Sequence, residues 1–260
     1  MDMHYGKTKV FISKDDVALG KLAASDVADK IRELLDDHAE IRIIFAAAES
    51  QMTFLDALAV EKNINWQRIV CFNVDDFYDT KMPEEFTCGH LTRKLLYDKV
   101  SPKQVHLIKY NAPDPEEEAM RFESVMRLEG GFDILCQGIG ISGHLALNEP
   151  FDCDFYDKAW VRVVSLTEHS KTQLREDPNF KALGYIPLKG ITMTIPVLMA
   201  VRNIYTMVPF SLKRPILEKL FMQKTPTVEL PASVLLEADG KLYIDRNSCP
   251  QNLLEKESKV

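Results

Sequence analysis

The chain has 260 residues, with 32 basic and 39 acidic side chains and a formal net charge of -7. This balance provides no basic patch for nucleic acid, and no apolar run approaches the roughly 18 residues of a membrane span. The first residues lack the basic and apolar regions of a signal peptide. Five cysteines occur without a CxxC pair, which favours free thiols over disulfides or zinc. The sequence therefore predicts a cytoplasmic protein that binds neither nucleic acid nor membrane.

Short β-branched runs alternate with amphipathic segments along most of the chain. The runs that predict strands cover residues 9–12, 41–46, 68–74, 104–109, 132–137, 161–166 and 203–208. A first helix is predicted to begin after Ser13, because Asp16 follows it at nearly the spacing of a capping box. Further helices are predicted over residues 50–60, 115–128 and 212–223. Two late runs, 234–237 and 241–245, are predicted to pair with each other as strands.

This alternation predicts a single α/β domain over residues 1–260. Right-handed crossovers between successive strands give a doubly wound, mostly parallel, Rossmann-like sheet with helices on both faces. In such sheets ligands bind beyond the carboxyl ends of the strands. The segments to search for a site are therefore 46–50, 75–78, 138–149 and 209–213.

One of these segments, QGIGISGHLALNEP at residues 137–150, has the glycine spacing of a dinucleotide-binding loop. That interpretation requires a long helix after the third glycine. Only six residues separate Gly143 from Pro150, and a proline interrupts a helix. The sequence after Pro150 also lacks an apolar stripe at helical period, which argues against a nucleotide site.

The alternative interpretation of the same loop is acid–base chemistry. Glycines allow a tight turn and a close approach to a ligand. His144 would lie where the sheet opens, and Glu149 could orient the imidazole for proton transfer. Spacing alone leaves a third interpretation open, in which His144 is a packed loop histidine and Glu149 a solvated acid.

Three motifs give the chain a resemblance to a known family. The loop GIGISGHLALNEP resembles the signature of the glucosamine-6-phosphate deaminases, FNVDDFY at 72–78 resembles the family's segment after the third strand, and VPFSLK at 208–213 resembles its segment ending in a phosphate-binding lysine. Their order and spacing extend the resemblance over residues 9–245. The related gluconolactonases share the fold but not the Asn-Glu-Pro ending of the loop.

The resemblance implies conversion of an amino-sugar 6-phosphate to a ketose phosphate and ammonia: glucosamine 6-phosphate to fructose 6-phosphate, or the galacto epimer. Each step is a proton transfer, so it implies neither cofactor nor metal. His144 would open the pyranose, Glu149 would hold and polarise it, and Asp75 would carry a proton between two sugar carbons. From the residues alone, Asp75 and Asp76 are equally well explained as acids of a turn.

The resemblance also implies a set of substrate-binding residues around these three. They are Ala48, Glu49, Ser50, Asp76, Gly140, Ser142, Gly143, Arg175 and Lys213. Within this set, Arg175 and Lys213 would bind the phosphate, although either could be a solvated charge on a helix. Family members occur as monomers and as hexamers, so the resemblance leaves open whether the chain forms a homo-oligomer.

Two positions depart from the family pattern. The phosphate-binding turn should contain two glycines, but residues 46–50 read AAAES, and Glu49 brings a carboxylate to a place where it would repel phosphate. Ser142 replaces an aspartate, which leaves a protonated His144 with less stabilising charge. Two alternatives follow: a sugar isomerase or hydrolase acting on an unphosphorylated ligand, and a sugar-binding paralogue with impaired catalysis.

Overall fold

Two β-sheets form the frame of the molecule in the computed structural model, which describes residues 3–176 and 178–257. The strands are β1 (Met3–Tyr5), β2 (Thr8–Ser13), β3 (Ile41–Phe45), β4 (Ile69–Asn73), β5 (Asp75–Tyr78), β6 (Gln104–His106), β7 (Ile134–Gln137), β8 (Val161–Ser165), β9 (Lys189–Met193), β10 (Asn203–Val208) and β11 (Lys241–Asp245). The larger sheet has the order β1-β2-β11-β10-β7-β3-β4-β6, and its neighbouring strands are parallel except for β1 and β2.

Helices connect most of these strands. The α-helices are α1 (Asp16–Asp37), α2 (Met52–Leu58), α3 (Cys88–Thr92), α4 (Asp98–Val100), α5 (Pro115–Glu129), α6 (Glu168–Glu176), α7 (Pro178–Leu183), α8 (Ile195–Met199), α9 (Arg214–Met222) and α10 (Gln251–Glu257). Short 3-10 turns cover Glu49–Gln51, Trp66–Arg68, Glu84–Phe86, Ser211–Lys213 and Pro231–Leu236, and Arg93–Tyr97 forms a π-helical turn. Within the described residues, no helix is both long and apolar enough to cross a bilayer.

The larger sheet is covered on both faces, because successive side chains of a strand point to opposite sides. Ile43 and Phe45 of β3 belong to the apolar layer that includes α1 and α2. Ile44 belongs to the opposite layer, which includes Phe122 of α5 and Leu217 of α9. Parallel strands buried on both faces are rich in β-branched residues, and this confirms the predicted doubly wound α/β architecture.

The smaller sheet was not predicted from the sequence. Its strands have the order β5-β9-β8 and pair antiparallel. The chain leaves the larger sheet at the end of β4 and enters the smaller one at Asp75, with Val74 between them. Asp75 therefore lies at the junction of the two sheets, at the carboxyl end of β4.

Two local predictions were wrong. Residues 234–237 do not pair with β11, because Pro231–Leu236 is a 3-10 helix and β11 lies between β10 and β2 as a parallel strand. Pro231 stands in the first turn of this helix, where the missing amide hydrogen of a proline is not needed, whereas a strand within a sheet needs that hydrogen for pairing. The cap of α1 is Asp15 rather than Ser13, since the Asp15 carboxylate accepts the Ala18 amide hydrogen at 2.8 Å.

Candidate active site

The parallel strands of the larger sheet deliver several chain segments to one edge. Since β3, β4, β7 and β10 run in the same direction, their carboxyl ends share that edge. The segments that follow them begin at Ala46, Val74, Gly138 and Pro209. These are the segments in which the sequence places its candidate residues, so the fold brings the glycine loop, the acidic pair and the lysine segment to one side of the molecule.

His144, Ser142 and Glu149 form a hydrogen-bonded cluster within the glycine loop. The Ser142 hydroxyl donates to Glu149 Oε2 at 2.7 Å. His144 Nδ1 lies 2.7 Å from Ser142 Oγ and 3.0 Å from Glu149 Oε1. An ionised carboxylate only accepts hydrogen bonds, and the Ser142 hydrogen is directed at Glu149. Nδ1 must therefore carry the imidazole hydrogen, which leaves Nε2 as the proton-accepting nitrogen.

Glu149 is held in its ionised form. Its burial alone would raise the pKa, but the hydrogen bond and charge of His144, together with the hydroxyls of Ser142 and Ser170, lower it to about 2. The Glu149 side chain is 5% exposed, whereas the His144 side chain is 18% exposed. A permanent negative charge thus lies behind an imidazole that still reaches solvent, an arrangement suited to proton transfer.

Gly140 and Gly143 are required by the shape of this loop. A Cβ at Gly140 would lie 2.0 Å from His144 Nε2 and Cε1, so the imidazole ring rests directly on the Gly140 backbone. Gly143 has a φ of +89°, and a Cβ there would also lie 2.2 Å from Leu230 Cδ1. Neither position accommodates a side chain. Gly140 is required because the His144 ring occupies the space, and Gly143 is required because of its backbone conformation and its packing against Leu230.

Asp75 and Asp76 are both buried but have different surroundings. Burial, with the neighbouring charge of Asp76, raises the pKa of Asp75 to about 8. Burial also raises the pKa of Asp76 to about 7, against the opposing effect of three backbone amides. These amides belong to Phe77, Cys88 and Gly89, and they donate to the Asp76 carboxylate at 2.8–2.9 Å. Asp76 thus fixes the start of α3, and Asp75 is the carboxyl group of the pair with the higher pKa.

The strand β9 ties Asp75 to the glycine loop. Asp75 pairs with Thr192, whose hydroxyl oxygen accepts the Leu147 amide hydrogen at 3.2 Å. Met193 donates its amide hydrogen to Val74 at 3.0 Å, and its carbonyl accepts from the Asn148 side chain at 2.8 Å. The residues adjoining Asp75 and Glu149 are thus anchored to the same two residues of β9. Asn148 and Thr192 were not singled out from the sequence, because their partners lie 45 residues away.

The predicted phosphate turn adopts a 3-10 turn over Glu49–Gln51, with Ala48 as its cap. Ser50 is buried and lies over Gly138, where a Cβ would meet its Oγ at 3.3 Å. Gln51 Nε2 bridges the Ser50 hydroxyl and the Met207 carbonyl, each at 3.2 Å. Glu49, in contrast, is exposed. The turn is therefore attached to the carboxyl ends of β7 and β10, and the Glu49 side chain is exposed to solvent.

Lys213 lies in the turn that follows β10. Burial lowers the pKa of Lys213 to about 8, and the negative charge of Glu49 opposes that shift. The backbone shortly before Lys213 is strained, because Phe210 has a φ of +81°. The Phe210 amide donates a hydrogen bond to the buried Asp245 carboxylate at 3.2 Å, and this bond maintains the conformation. Sequence analysis did not identify Asp245. The one sequence feature that could have indicated a role for it is its position at the end of β11.

The ion pair of Arg175 is with Glu168, a residue of its own helix that was not among the predicted site residues. Arg175 lies on α6, where its side chain is 55% exposed and lies 3.7 Å from Glu168. Ser170 lies five residues earlier, which is about 140° around the helix at 100° per residue. Ser170 faces the site and donates a hydrogen bond to Glu149 Oε1. The predicted anion-binding role of Arg175 remains a prediction, and Ser170 is a site residue that sequence analysis missed.

The glycine loop lacks the features of a nucleotide site. Between β7 and β8 the described chain forms turns, so no helix begins after Gly143. The helix amides that would bind a pyrophosphate are therefore missing from this loop. In the described ranges 3–176 and 178–257, no group of three or more histidine, cysteine or acidic side chains is arranged to hold a metal ion. The imidazole and carboxyl groups of this loop are able to transfer protons.

Comparison with known sequences agrees with the motifs. The sequence profile described as glucosamine-6-phosphate isomerases/6-phosphogluconolactonase matches residues 14–244. The glucosamine-6-phosphate deaminase of Mycoplasmopsis pulmonis is 25% identical over 241 residues, which cover 91% of each chain. The glucosamine-6-phosphate deaminase of Shouchella clausii is 31% identical over 189 residues, covering 72% of this chain and 74% of that protein.

Comparison with solved structures shows the same fold. A monomeric glucosamine-6-phosphate deaminase superposes with a TM-score of 0.80 at 23% identity, over 92% of this chain and 98% of the other. A 6-phosphogluconolactonase from Thermotoga maritima superposes with a TM-score of 0.72 at 16% identity, over 91% of this chain and 98% of the other. The fold is therefore shared by enzymes with two different reactions, and the choice between them depends on the residues of the site.

Proposed function

We propose that this chain, which belongs to the family of glucosamine-6-phosphate isomerases and 6-phosphogluconolactonases, deaminates and isomerises an amino-sugar 6-phosphate. The observation on which the proposal rests is the buried carboxyl group of Asp75, anchored through β9 to the loop of His144 and Glu149. Lactone hydrolysis requires activation of one water molecule. Aldose–ketose conversion requires two separate proton shuttles, one at oxygen and one at carbon, and His144 and Asp75 would serve as the two.

The first shuttle would be His144. Ring opening removes the hydrogen of the anomeric hydroxyl and returns one to the ring oxygen. With Nδ1–H held by Glu149 and Ser142, Nε2 is free to accept the first hydrogen and to donate it again. The negative charge of Glu149 stabilises the imidazolium that exists between the two transfers.

The second shuttle would be Asp75. Its carboxylate would remove the hydrogen from C2 of the open-chain aldehyde, with O1 gaining a hydrogen, to give an enolamine, and would then return the hydrogen to C1. The nitrogen loses one hydrogen, which balances the one gained by O1 and leaves a hydroxyl at C1 and an imine at C2. Water then adds to C2 and ammonia leaves, giving the ketose. One water molecule is consumed and one ammonia is released, with no change in redox state. A pKa near 8 makes Asp75 a much stronger base than an ordinary carboxylate.

The direct test is product formation from two epimeric substrates. Incubation with glucosamine 6-phosphate or galactosamine 6-phosphate is expected to release ammonia and the matching ketose phosphate in equal amounts. Ammonia can be measured with a coupled glutamate dehydrogenase assay, and the ketose phosphate by chromatography. Failure of both sugars to yield ammonia, together with hydrolysis of a 6-phosphogluconolactone, would assign the chain to the lactonase reaction instead.

A second candidate is a sugar isomerase or hydrolase that acts on an unphosphorylated ligand. Its support is the exposed Glu49, whose charge acts on Lys213, the residue expected to bind phosphate. A carboxylate beside this lysine favours a hydroxyl or amine of the ligand over a phosphate. Under this alternative, thermal unfolding is expected to shift upward with free sugars and to stay unchanged with sugar phosphates.

Glu49→Gln tests whether the Glu49 carboxylate weakens the binding of phosphate beside Lys213. Two like charges about 4 Å apart repel by about 1 kcal/mol in water, so removing the charge should tighten binding of inorganic phosphate roughly fivefold. Isothermal titration calorimetry measures the change. Glu117→Gln is the matched control, since Glu117 is an exposed acid in the first turn of α5. Equal phosphate affinity in wild type and Glu49→Gln would mean that the Glu49 carboxylate does not face the bound anion.

A further inference from the structure

We propose that Ser170 is a positioning residue, whose hydroxyl fixes the Glu149 carboxylate and thereby couples the docking of helix α6 to proton transfer at His144. The proposal rests on the proposed function only in assigning that proton transfer to sugar ring opening. The contact itself links α6, in the connection between the antiparallel strands β8 and β9, to the glycine loop, and it joins two residues that lie 21 positions apart in the sequence.

Each oxygen of the Glu149 carboxylate accepts a hydrogen bond from a different serine hydroxyl. Ser142, from the glycine loop, donates to Oε2 at 2.7 Å, and Ser170, from α6, donates to Oε1. The imidazole of His144 shares Oε1 at 3.0 Å. A buried carboxylate needs donors for both oxygens, and in this site α6 supplies one of them.

The orientation of the Ser170 hydroxyl is fixed by the start of its own helix. Thr167 Oγ1 accepts the Ser170 amide hydrogen at 3.2 Å, and the Thr167 hydroxyl donates to Ser170 Oγ at 3.3 Å. The hydroxyl hydrogens therefore run in one direction, from Thr167 to Ser170 to Glu149. Bonds arranged in series polarise one another, so Ser170 is a better donor to the carboxylate than an isolated serine.

This arrangement affects His144 through the charge of Glu149. The Glu149 carboxylate faces one titratable group, His144, and two neutral groups, the hydroxyls of Ser142 and Ser170. Each hydroxyl withdraws charge from the oxygen that it contacts. Without Ser170, more of that charge would face the imidazole and stabilise its protonated form. The imidazole would then act as a base only at higher pH.

At pH 7 Ser170→Ala is expected to lower kcat roughly threefold to tenfold, with KM changed less than twofold. Ser170→Thr retains the hydroxyl and should restore kcat. Thr172→Ala is the matched control, because Thr172 is exposed on the same helix and its hydroxyl bonds only the helix carbonyl of Glu168.

The titration of the His144 ring gives a readout independent of turnover. NMR of histidine-labelled protein, with the ring signal assigned by His144→Gln, should show the midpoint rising by about half a pH unit in Ser170→Ala and unchanged in Thr172→Ala. An unchanged midpoint in Ser170→Ala would overturn the proposal, as would a parallel loss of kcat in Ser170→Ala and Ser170→Thr. Absence of ammonia release would remove the proposed function while leaving this titration decisive for Ser170.

Discussion

Asp75→Asn is expected to abolish ammonia release and, at the same time, to stabilise the folded chain at alkaline pH. An amide cannot remove a hydrogen from C2, and the loss of a positioned base lowers turnover by about a hundredfold to ten-thousandfold. Asp75 is also a titratable group that folding buries at the junction of two sheets. Replacing it by a neutral group of the same size removes the free energy required to ionise it there.

The sign of the stability effect follows from the two proton affinities. In the unfolded chain an aspartate has a pKa of about 3.9, whereas burial and the charge of Asp76 raise the pKa of Asp75 to about 8 in the folded chain. Between these values the folded chain retains a proton that the unfolded chain has lost. Stability contributed by this group therefore falls as pH rises from about 4 to about 8. Above that range the destabilisation is complete.

Urea unfolding at a series of pH values measures this difference. Asp75→Asn and wild type should have similar unfolding free energies near pH 4, with the variant about 5 kcal/mol more stable near pH 8. Asp79→Asn is the control, since Asp79 follows the same strand and bonds only an exposed amide. A variant that retains ammonia release would exclude Asp75 as the base. A difference independent of pH would exclude its raised pKa.

The same proton affinity predicts the pH dependence of the wild-type reaction. A base that accepts a proton from carbon must be ionised before it acts. Because Asp75 titrates with a pKa of about 8, kcat/KM should rise between pH 6 and pH 8. Measuring kcat and KM separately at each pH distinguishes this rise from the titration of Lys213, which has a pKa of about 8 and is expected to bind the phosphate.

The sequence predicted the parts of the fold that depend on local pattern. Ile41–Phe45 and Asn203–Val208 are β-branched runs buried on both faces, and such runs become strands of a parallel sheet. Because parallel strands share a carboxyl edge, the positions of Asp75 and His144 beyond their strands could also be inferred. These predictions required only the period of the side chains and the direction of the chain.

The remaining features depend on contacts between distant segments. Lys189–Met193 is a short strand containing a glycine, and it becomes a strand because it pairs with Asp75–Tyr78 and Val161–Ser165. Ser170 lies in a charged helical segment that resembles a solvent-facing surface, and only the approach of Glu149 gives its hydroxyl a role. Tertiary packing determined these features, and single-sequence patterns do not record it.

Gly140→Ala is expected to lower kcat by roughly a hundredfold or more while leaving the chain folded. The added methyl group would lie 2.0 Å from His144 Nε2 and Cε1 and 2.4 Å from Cδ2, so the ring must leave its position. Its displacement breaks the contacts of Nδ1 with Ser142 and Glu149. Gly140 does not have a positive φ, so the alanine introduces no backbone strain, and its effect should be confined to the ring.

A double-mutant cycle distinguishes ring displacement from general damage to the loop. If the methyl group acts by moving His144, Gly140→Ala should have little further effect on kcat in a chain that already carries His144→Ala, where the methyl group has space. The two effects would then be strongly non-additive, as expected for residues in direct contact. Additive losses in the cycle, or a fall in the thermal midpoint of Gly140→Ala comparable to that of a core truncation, would show instead that the glycine serves the backbone. In that case the position of the imidazole would not be what Gly140 determines.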